Sequence, residues 1–222
     1  MTEEKISYNR QEKIFNPINQ KYNIIVLGAG SLGSIITLNL AKLGFNNIQV
    51  YDFDIVEKHN IPNQIYRIND LGKKKVDALY EIIEDFTDIK IEKNDKKVIK
   101  ETALPIDLNN IFILTFDTLK SRRLIFDKLS KQEDCYIIDA RMGGESFDIQ
   151  TYNLFDANAE KWKKSFDIKP NDLPCGEKSI CYTNFIVAGE VSNIVKKINN
   201  EETYPNRIIR NVKNYNYIGG KK

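Results

Sequence analysis

The chain has 222 residues, of which 41% are hydrophobic, so it is long enough to bury the core of a single α/β domain. Its 33 basic and 31 acidic residues give a net charge of +2, which provides no overall attraction to nucleic acid or to a membrane surface. No apolar run approaches the roughly 18 residues of a membrane span. The N-terminus is polar and the three cysteines suit a reducing compartment, so we expect a cytoplasmic protein.

After a polar N-terminal arm (residues 1–20), the predicted elements alternate between strands and helices. In chain order they are a strand (23–27), a helix (34–41), a strand (48–51), a helix (72–86), two strands (89–93 and 111–116), a helix (119–129), two strands (136–139 and 147–152), an irregular crossover-like segment (155–182), a helix (184–198) and a final strand or hairpin (208–217). This order predicts one α/β domain over residues 1–222. We expect a Rossmann-like three-layer fold with a mostly parallel central sheet and antiparallel C-terminal strands.

A glycine-rich turn, Gly28-Ala29-Gly30-Ser31-Leu32-Gly33, separates the first predicted strand from the first helix. Glycine permits a tight turn and close backbone approach, and a helix N-terminus offers unpaired N–H groups to a phosphate. Asp52, at the end of the next strand, can accept hydrogen bonds from ribose hydroxyls. We therefore expect Gly28, Gly30, Gly33 and Asp52 to bind a nucleotide. A turn that needs glycine only for packing is the alternative.

Five ordered motifs resemble those of the ThiF/MoeB/ubiquitin-activating-enzyme superfamily of adenylyltransferases. The segment from Asp52 to Gln64 is similar to the pattern Asp-x-Asp-x-Val-x-x-x-Asn-Leu-x-Arg-Gln. The other four are Tyr8-Asn9-Arg10-Gln11, Asp70-Leu71-Gly72-Lys73-Lys74-Lys75, Asp117 with Arg122, and Arg141-Met142-Gly143-Gly144. Together they run from residue 8 to about residue 153, and are far more specific than the glycine turn alone.

This resemblance implies an ATP- and Mg²⁺-dependent enzyme that adenylates the C-terminal carboxylate of a ubiquitin-like or sulfur-carrier protein ending in Gly-Gly. A carboxylate is already ionised at neutral pH. The reaction therefore asks mainly for positioning of the reactants and neutralisation of phosphate charge.

The resemblance also implies roles for individual residues. Lys75 would supply a point charge to the phosphates and Asp117 would hold Mg²⁺. Arg10 would act as an arginine finger, which in relatives comes from the other subunit, so a homodimer is expected. The implied nucleotide-binding set is Gly28, Gly30, Gly33, Asp52, Asp54, Asn60, Asn63, Gln64 and Lys75.

One departure from the family pattern is Asn63, which stands where arginine is usual. The change removes a charge-assisted contact to phosphate, although Arg67 could compensate from the same loop. It leaves open a weak or inactive scaffold that docks a ubiquitin-like protein or pairs with an active subunit. A third hypothesis, an NAD-dependent oxidoreductase, gives Lys75 and Asp117 no role.

Cysteine spacing argues against a structural zinc site, because Cys135, Cys175 and Cys181 cannot form the Cys-x-x-Cys pairs that many relatives carry. Some relatives use a catalytic cysteine to form a thioester or persulfide. Cys175, in the irregular segment, is the positional candidate for that role, and a cysteine without a role is the alternative. The terminal Gly219-Gly220-Lys221-Lys222 is expected to be a flexible end.

Overall fold

The computed structural model describes residues 6–105, 109–130, 135–154, 159–166 and 179–220. Its strands are β1 (Asn23–Leu27), β2 (Ile48–Asp52), β3 (Glu92–Asp95), β4 (Asn110–Leu114), β5 (Cys135–Gly143), β6 (Ser146–Asn153), β7 (Arg207–Asn211) and β8 (Asn216–Gly220). Its helices are α1 (Ser31–Leu43), α2 (Lys75–Thr87), α3 (Leu119–Leu129), α4 (Ala159–Lys164) and α5 (Cys181–Asn199). No helix among these residues is long and apolar enough to cross a membrane.

All eight strands form one sheet in the order β3-β2-β1-β4-β5-β6-β7-β8. The first five strands of this order run parallel, and β5 to β8 are joined by antiparallel pairs. The chain builds outward from β1 in one direction to β3 and then returns to place β4 on the other side of β1. The strand order therefore reverses between β1 and β4. In open α/β sheets, ligands usually bind beyond the carboxyl ends of the strands at such a reversal.

Side chains of β1 alternate between two hydrophobic clusters. Ile24 and Val26 pack with α1, α2 and α5, whereas Ile25 and Leu27 pack with α3 and Trp162 of α4. Because both faces of the sheet are covered by helices, the central strands are apolar on both sides. The predicted Rossmann-like three-layer fold is confirmed.

Two sequence-based expectations about the C-terminal half are wrong. The segment 155–182 is not wholly irregular, since α4 lies within it and α5 begins at Cys181. Trp162 is fully buried and anchors α4 against the sheet. The terminal glycines do not form a flexible end, because Gly219 and Gly220 pair with Ile208 and Arg207 in the last hairpin. Lys221 and Lys222 lie outside the described residues.

The N-terminal arm packs at the C-terminal ends of α1 and α5. The side-chain amide of Gln11 donates to the Leu43 carbonyl at the end of α1, at 2.7 Å. The Asn200 side chain, just past the end of α5, donates to the Ile14 carbonyl at 2.9 Å. The arm therefore lies at the opposite end of α1 from the glycine turn.

Candidate nucleotide-binding site

The glycine turn contains two glycines that the fold requires and one that it does not. Gly28 has a φ of +109°, in the region that favours glycine, and a Cβ at Gly33 would lie 1.8 Å from the Gly28 carbonyl oxygen. A Cβ at Gly30 would meet no atom within 4 Å. Gly30 is also the N-cap of α1 and provides no side-chain cap. The first N–H groups of α1 are therefore left for an anion.

Asp52 ties the glycine turn to the loop after β2. Its Oδ2 accepts from the Ala29 N–H at 2.7 Å, and its Oδ1 accepts from the Asp54 N–H at 2.8 Å. Each carboxylate oxygen has a second acceptor position. The half-buried Asp52 can therefore hold the turn and still accept a hydrogen bond from a ribose hydroxyl.

Lys75 begins α2 and forms an ion pair with Asp54. Its Nζ donates to Asp54 Oδ2 at 3.0 Å, and its backbone N–H donates to the Asp54 carbonyl at 2.9 Å. The Lys75 side chain is only 8% exposed, whereas that of Asp54 is 50% exposed. An ammonium has three donors, so Lys75 can bind a phosphate oxygen as well as Asp54.

The loop between residues 57 and 66 is built around Asn60. The buried Asn60 accepts the Glu57 N–H on its amide oxygen at 2.9 Å, and its carbonyl accepts the N–H groups of Asn63 and Gln64. The Asn63 carbonyl accepts from buried Asn184 at 2.8 Å, which joins the loop to the start of α5. The Gln64 Oε1 is buried and has no hydrogen-bond partner among the described residues.

Sequence reasoning missed two residues that shape the glycine turn. The Tyr66 hydroxyl donates to the Ala29 carbonyl at 2.7 Å. Burial, with a further contribution from the Asp52 charge, raises the pKa of Tyr66, so this donor stays protonated. Thr115 Oγ1 donates at 2.9 Å to the Gly28 carbonyl. Thr115 is a polar residue directly after the apolar run that forms most of β4, and that position could have identified it. Tyr66 has no comparable signal in the sequence.

Asp117 is exposed beyond the carboxyl end of β4. Because β4 pairs in parallel with β1, with Leu114 opposite Leu27, Asp117 follows the same sheet edge that carries the glycine turn. Thr118, rather than Asp117, caps α3 by accepting the Ser121 N–H at 3.2 Å. Asp117 is therefore not used as the cap. We call Asp52, Asp54, Lys75 and Asp117 the nucleotide cluster.

A second charged group, the Asp139 cluster, consists of Arg122, Asp139 and Arg141. Arg122 is buried and donates to the Asp139 carboxylate and to the Phe116 carbonyl. Burial lowers the pKa of Arg122, and the Asp139 charge opposes that effect. Arg141 donates to Asp139 at 2.6 Å and to Ser165 Oγ at 2.8 Å. Through Phe116, Arg122 holds the turn that carries Asp117.

Two residues considered at the sequence level, Arg10 and Arg67, are not brought to this site within one chain, and a third is not described by the structure. Arg10 is exposed beside the C-terminal end of α1, and a helix of 13 residues is ~20 Å long, so Arg10 cannot reach the glycine turn of its own chain. Arg67 is committed to ion pairs with Asp70 at 3.0 Å and Asp85 at 2.8 Å, so it does not replace the arginine lost at Asn63. Cys175 lies outside the described residues and stays a prediction.

Comparison with known proteins places these features in a family. The chain is 33% identical over 111 residues to the NEDD8-activating enzyme E1 catalytic subunit of Arabidopsis thaliana, which covers 49% of this chain and 24% of that protein. It is 30% identical over 108 residues to the adenylyltransferase and sulfurtransferase MOCS3 of Dictyostelium discoideum, which covers 47% of this chain and 25% of that protein. The chain thus spans about a quarter of the length of these curated relatives.

Solved structures share the fold at low sequence identity. Escherichia coli MccB, crystallised with AMPCPP and MccA, superposes with a TM-score of 0.72 at 14% identity, covering 92% of this chain and 65% of that one. PaaA superposes with a TM-score of 0.72 at 18% identity, covering 100% of this chain and 76% of that one. The model of the ThiF family matches residues 4–220, which is nearly the whole chain. This chain therefore belongs to the ThiF family.

Proposed function

We propose that this chain is an ATP- and Mg²⁺-dependent adenylyltransferase that activates the C-terminal carboxylate of a ubiquitin-like or sulfur-carrier protein. The observation that carries the proposal is the open N-terminus of α1 at Gly30, beside Asp52 and the Asp54–Lys75 pair. The names of the relatives support it, since one is a NEDD8-activating enzyme subunit and another an adenylyltransferase.

The residues at the glycine turn fit an adenine nucleotide. The phosphates would lie against the N–H groups of α1, in the space that a side chain at residue 30 would fill. The ribose would hydrogen-bond to the spare acceptor positions of Asp52. Gln64 Oε1, buried without a partner among the described residues, would gain a donor from the nucleotide or a bridging water.

Mg²⁺ would be held by Asp117 and the phosphates. No cluster of three metal-ligating side chains is present among the described residues, but Mg²⁺ commonly binds through one or two carboxylates together with substrate phosphates. When bound, Mg²⁺ neutralises charge on the phosphates and on the leaving pyrophosphate. Lys75 would add a fixed positive charge from the base of α2, where its buried stem limits the positions of its ammonium.

In the proposed reaction, a carboxylate oxygen of the carrier protein attacks the α-phosphorus of ATP. A new P–O bond forms, the bond to the β-phosphate oxygen breaks, and pyrophosphate leaves with the electron pair. No general base is needed, because the nucleophile is already ionised. The chain's own work is to orient the reactants and neutralise charge, and Arg10 would contribute from a second copy.

A second candidate function is a scaffold with weak or no activity. Asn63 favours this hypothesis, because it replaces a cation at a phosphate-facing position and Arg67 is occupied by Asp70 and Asp85. Such a chain would dock a ubiquitin-like protein or pair with an active subunit, and would bind ATP without turning it over.

ATP–pyrophosphate exchange with Mg²⁺ and candidate Gly-Gly-terminated carriers distinguishes the two functions. We expect carrier-dependent exchange in the wild-type chain, its loss in Asp117→Ala and its retention in Asp127→Ala, which removes an exposed carboxylate from the far part of α3. ATP binding without exchange for any carrier would support the scaffold. Stabilisation by NAD and not by ATP in a thermal shift assay would contradict both.

A further inference from the structure

Lys75 is the one cation of the nucleotide cluster, whose other three members are carboxylates. Its ammonium lies at the end of a flexible four-carbon chain, so its position depends on the backbone that carries it and on the packing of its stem. The Lys75 side chain is only 8% exposed. Whatever fixes the first residue of α2 therefore fixes where this positive charge can meet a phosphate.

A short antiparallel bridge fixes that residue. It joins residues 54–56 to residues 72–75, with Ile55 opposite Lys74, and we call these two segments the clasp. Three backbone hydrogen bonds of 2.9 Å hold the clasp together, and their donors and acceptors are Lys75 to Asp54, Val56 to Lys73, and Gly72 to Val56. The backbone at the start of α2 can therefore shift only if the clasp opens.

Asp70 anchors the clasp from inside the protein. Its side chain is completely buried, and both of its carboxylate oxygens accept hydrogen bonds. Arg67 donates to them from its backbone N–H at 2.9 Å, from Nε at 3.0 Å and from Nη2 at 3.1 Å. Lys73 donates from Nζ at 3.3 Å, and its backbone N–H donates to the Asp70 carbonyl at 3.0 Å. Because a buried carboxylate needs such partners, Asp70 holds Arg67 and the clasp residue Lys73 at one point.

Arg67 also ties this point to the middle of α2. Its Nη1 donates to Asp85 at 2.8 Å and its Nη2 to Glu81 at 3.4 Å. These two acids are separated by one helical turn, so they share a face of α2. Lys75 begins the same helix. The loop before α2 is therefore attached to the helix at two places, through the clasp and through the Arg67 guanidinium.

We propose that Arg67 is a positioning residue, which acts through Asp70 and the clasp to hold the Lys75 ammonium where it meets the phosphates of the nucleotide. Arg67 has this role only if Lys75 binds phosphate, as the proposed function holds. Arg67 does not touch the nucleotide itself, because its donors are directed to carboxylates. Since Asn63 stands where the family has a cation, the placement of Lys75 matters more in this chain.

Arg207 offers a matched control for Arg67. The two side chains are 43% and 44% exposed, and each donates through two nitrogens to the carboxylate of one aspartate. Arg207 lies on β7 and its partner Asp148 on β6, so their ion pair contacts neither the clasp nor α2. Arg67→Gln and Arg207→Gln therefore remove comparable hydrogen bonds, but only the first should loosen the clasp.

Hydrogen exchange tests the clasp without a ligand. The three backbone N–H groups that form it should exchange roughly tenfold faster in Arg67→Gln than in the wild-type chain. They should keep their wild-type rates in Arg207→Gln. Backbone N–H groups in the buried part of α5 are the internal reference, because unfolding of the whole chain would expose them too. Equal protection of the clasp in the wild-type chain and Arg67→Gln would overturn the proposal.

Titration calorimetry with ATP and Mg²⁺ tests the effect on binding. The dissociation constant should rise roughly tenfold in Lys75→Ala and roughly fivefold in Arg67→Gln, with no change in Arg207→Gln. Adenosine has no phosphate, so by NMR titration it should bind equally to the wild-type chain and Arg67→Gln, which a general loss of structure would not allow. Arg67→Lys keeps the charge without the planar fork and should restore only part of the ATP affinity. Full restoration would contradict positioning by the fork.

The double variant Arg67→Gln/Lys75→Ala shows whether Arg67 acts through Lys75. If it does, the double variant should bind ATP as weakly as Lys75→Ala alone, because the second change has nothing left to misplace. Additive losses would overturn the proposal. ATP binding that depends on Lys75 but not on Arg67 would also overturn it and leave the proposed function intact. A wild-type chain that binds no ATP, or binds it independently of Lys75, would overturn the proposed function and the role of Arg67 together.

Discussion

The nucleotide cluster and the Asp139 cluster lie along the same carboxyl edge of the sheet but differ in how their charges are used. In the Asp139 cluster, Asp139 is completely buried and both arginines direct their donors to it and to nearby protein oxygens. In the nucleotide cluster, Asp54 is half-exposed, Asp117 is exposed and Lys75 retains donors beyond its ion pair with Asp54. A charge that the protein already satisfies stabilises the fold, whereas one with spare positions can bind a ligand.

The comparison matters because the two clusters look alike in the sequence. Asp117, Arg122 and Arg141 all belong to motifs that resemble one family. Burial separates them, since Arg122 is within the protein and Asp117 is at its surface. The clusters should therefore respond to substitution in opposite ways, one through stability and the other through activity.

The largest expected effect is the loss of stability in Asp139→Asn. The substitution leaves Arg122 buried without its counter-charge, and removing one partner of a buried ion pair costs about 3–5 kcal/mol. Denaturant unfolding measures the loss. Glu201→Gln, which breaks the exposed ion pair with Lys21, is the control and should leave the unfolding midpoint unchanged. Equal losses of stability in Asp139→Asn and Glu201→Gln would contradict the claim that the buried ion pair stabilises the fold more than the exposed one.

Asp117→Ala should show the reverse pattern. Because Asp117 is exposed and α3 is capped by Thr118, the free energy of unfolding should change by less than about 0.5 kcal/mol. Pyrophosphate exchange should fall by on the order of 10²-fold, the loss typical of one removed charge-stabilising group. Exchange assays and unfolding curves on the same preparation check both the expected loss of activity and the expected unchanged stability. If the variant is instead less stable, and loses activity only in proportion to the protein that unfolds, Asp117 has a structural role.

Tyr66→Phe should produce an intermediate effect, because Tyr66 supports the nucleotide cluster from within the fold. The change removes the donor to the Ala29 carbonyl and should cost about 1–2 kcal/mol in unfolding free energy. Tyr80→Phe is the control, since its hydroxyl donates to the Glu84 side chain near the surface, at 3.3 Å, and not to the glycine turn. Weaker ATP binding in Tyr66→Phe alone, by isothermal titration, would show that the turn depends on this hydrogen bond.

The smallest expected effect is the acid dependence contributed by Asp70. Burial opposes ionisation of Asp70, but hydrogen bonds from Arg67 and Lys73 outweigh it and hold its pKa below the ordinary 3.8. A lowered folded pKa stabilises the protein above pH 3.8, and this contribution is lost as the pH falls through the folded value. The wild-type chain should therefore lose slightly more stability than Asp70→Asn as the pH falls from 5 to 2.5. If the stability of the wild-type chain and that of Asp70→Asn fall equally with pH in acid unfolding, this prediction is wrong.

Local patterns were enough to predict the part of the fold that carries the glycine turn. The apolar run of β1, the turn and the start of α1 are adjacent in sequence, so their periodicity and glycine content define them. α4 was not predicted, because its stability depends on burying Trp162 against residues far away in the sequence. The hydrogen bond from the Glu57 N–H to the Asn60 amide oxygen was also not predicted. A sequence motif gives the type of a residue, but not which of its atoms already have hydrogen-bond partners in the fold.

The Asp139 cluster could not be derived from spacing for the same reason. Asp139 and Arg122 are 17 residues apart and meet only because β4 and β5 are neighbours in the sheet. The separation of Arg10 from the glycine turn likewise becomes visible only when both ends of α1 are placed. Sequence motifs therefore predicted the family and its fold, but not which charged residues are already bonded within the protein.

The most direct test of the proposed adenylation follows an oxygen atom. A Gly-Gly-terminated carrier labelled with ¹⁸O in its terminal carboxylate is incubated with the wild-type chain, ATP and Mg²⁺, and the acyl product is trapped with hydroxylamine. If the carboxylate attacks the α-phosphorus, hydroxylamine takes the acyl carbon and the AMP released carries ¹⁸O. Unlabelled AMP, or none in the presence of a carrier that binds, would contradict the central claim.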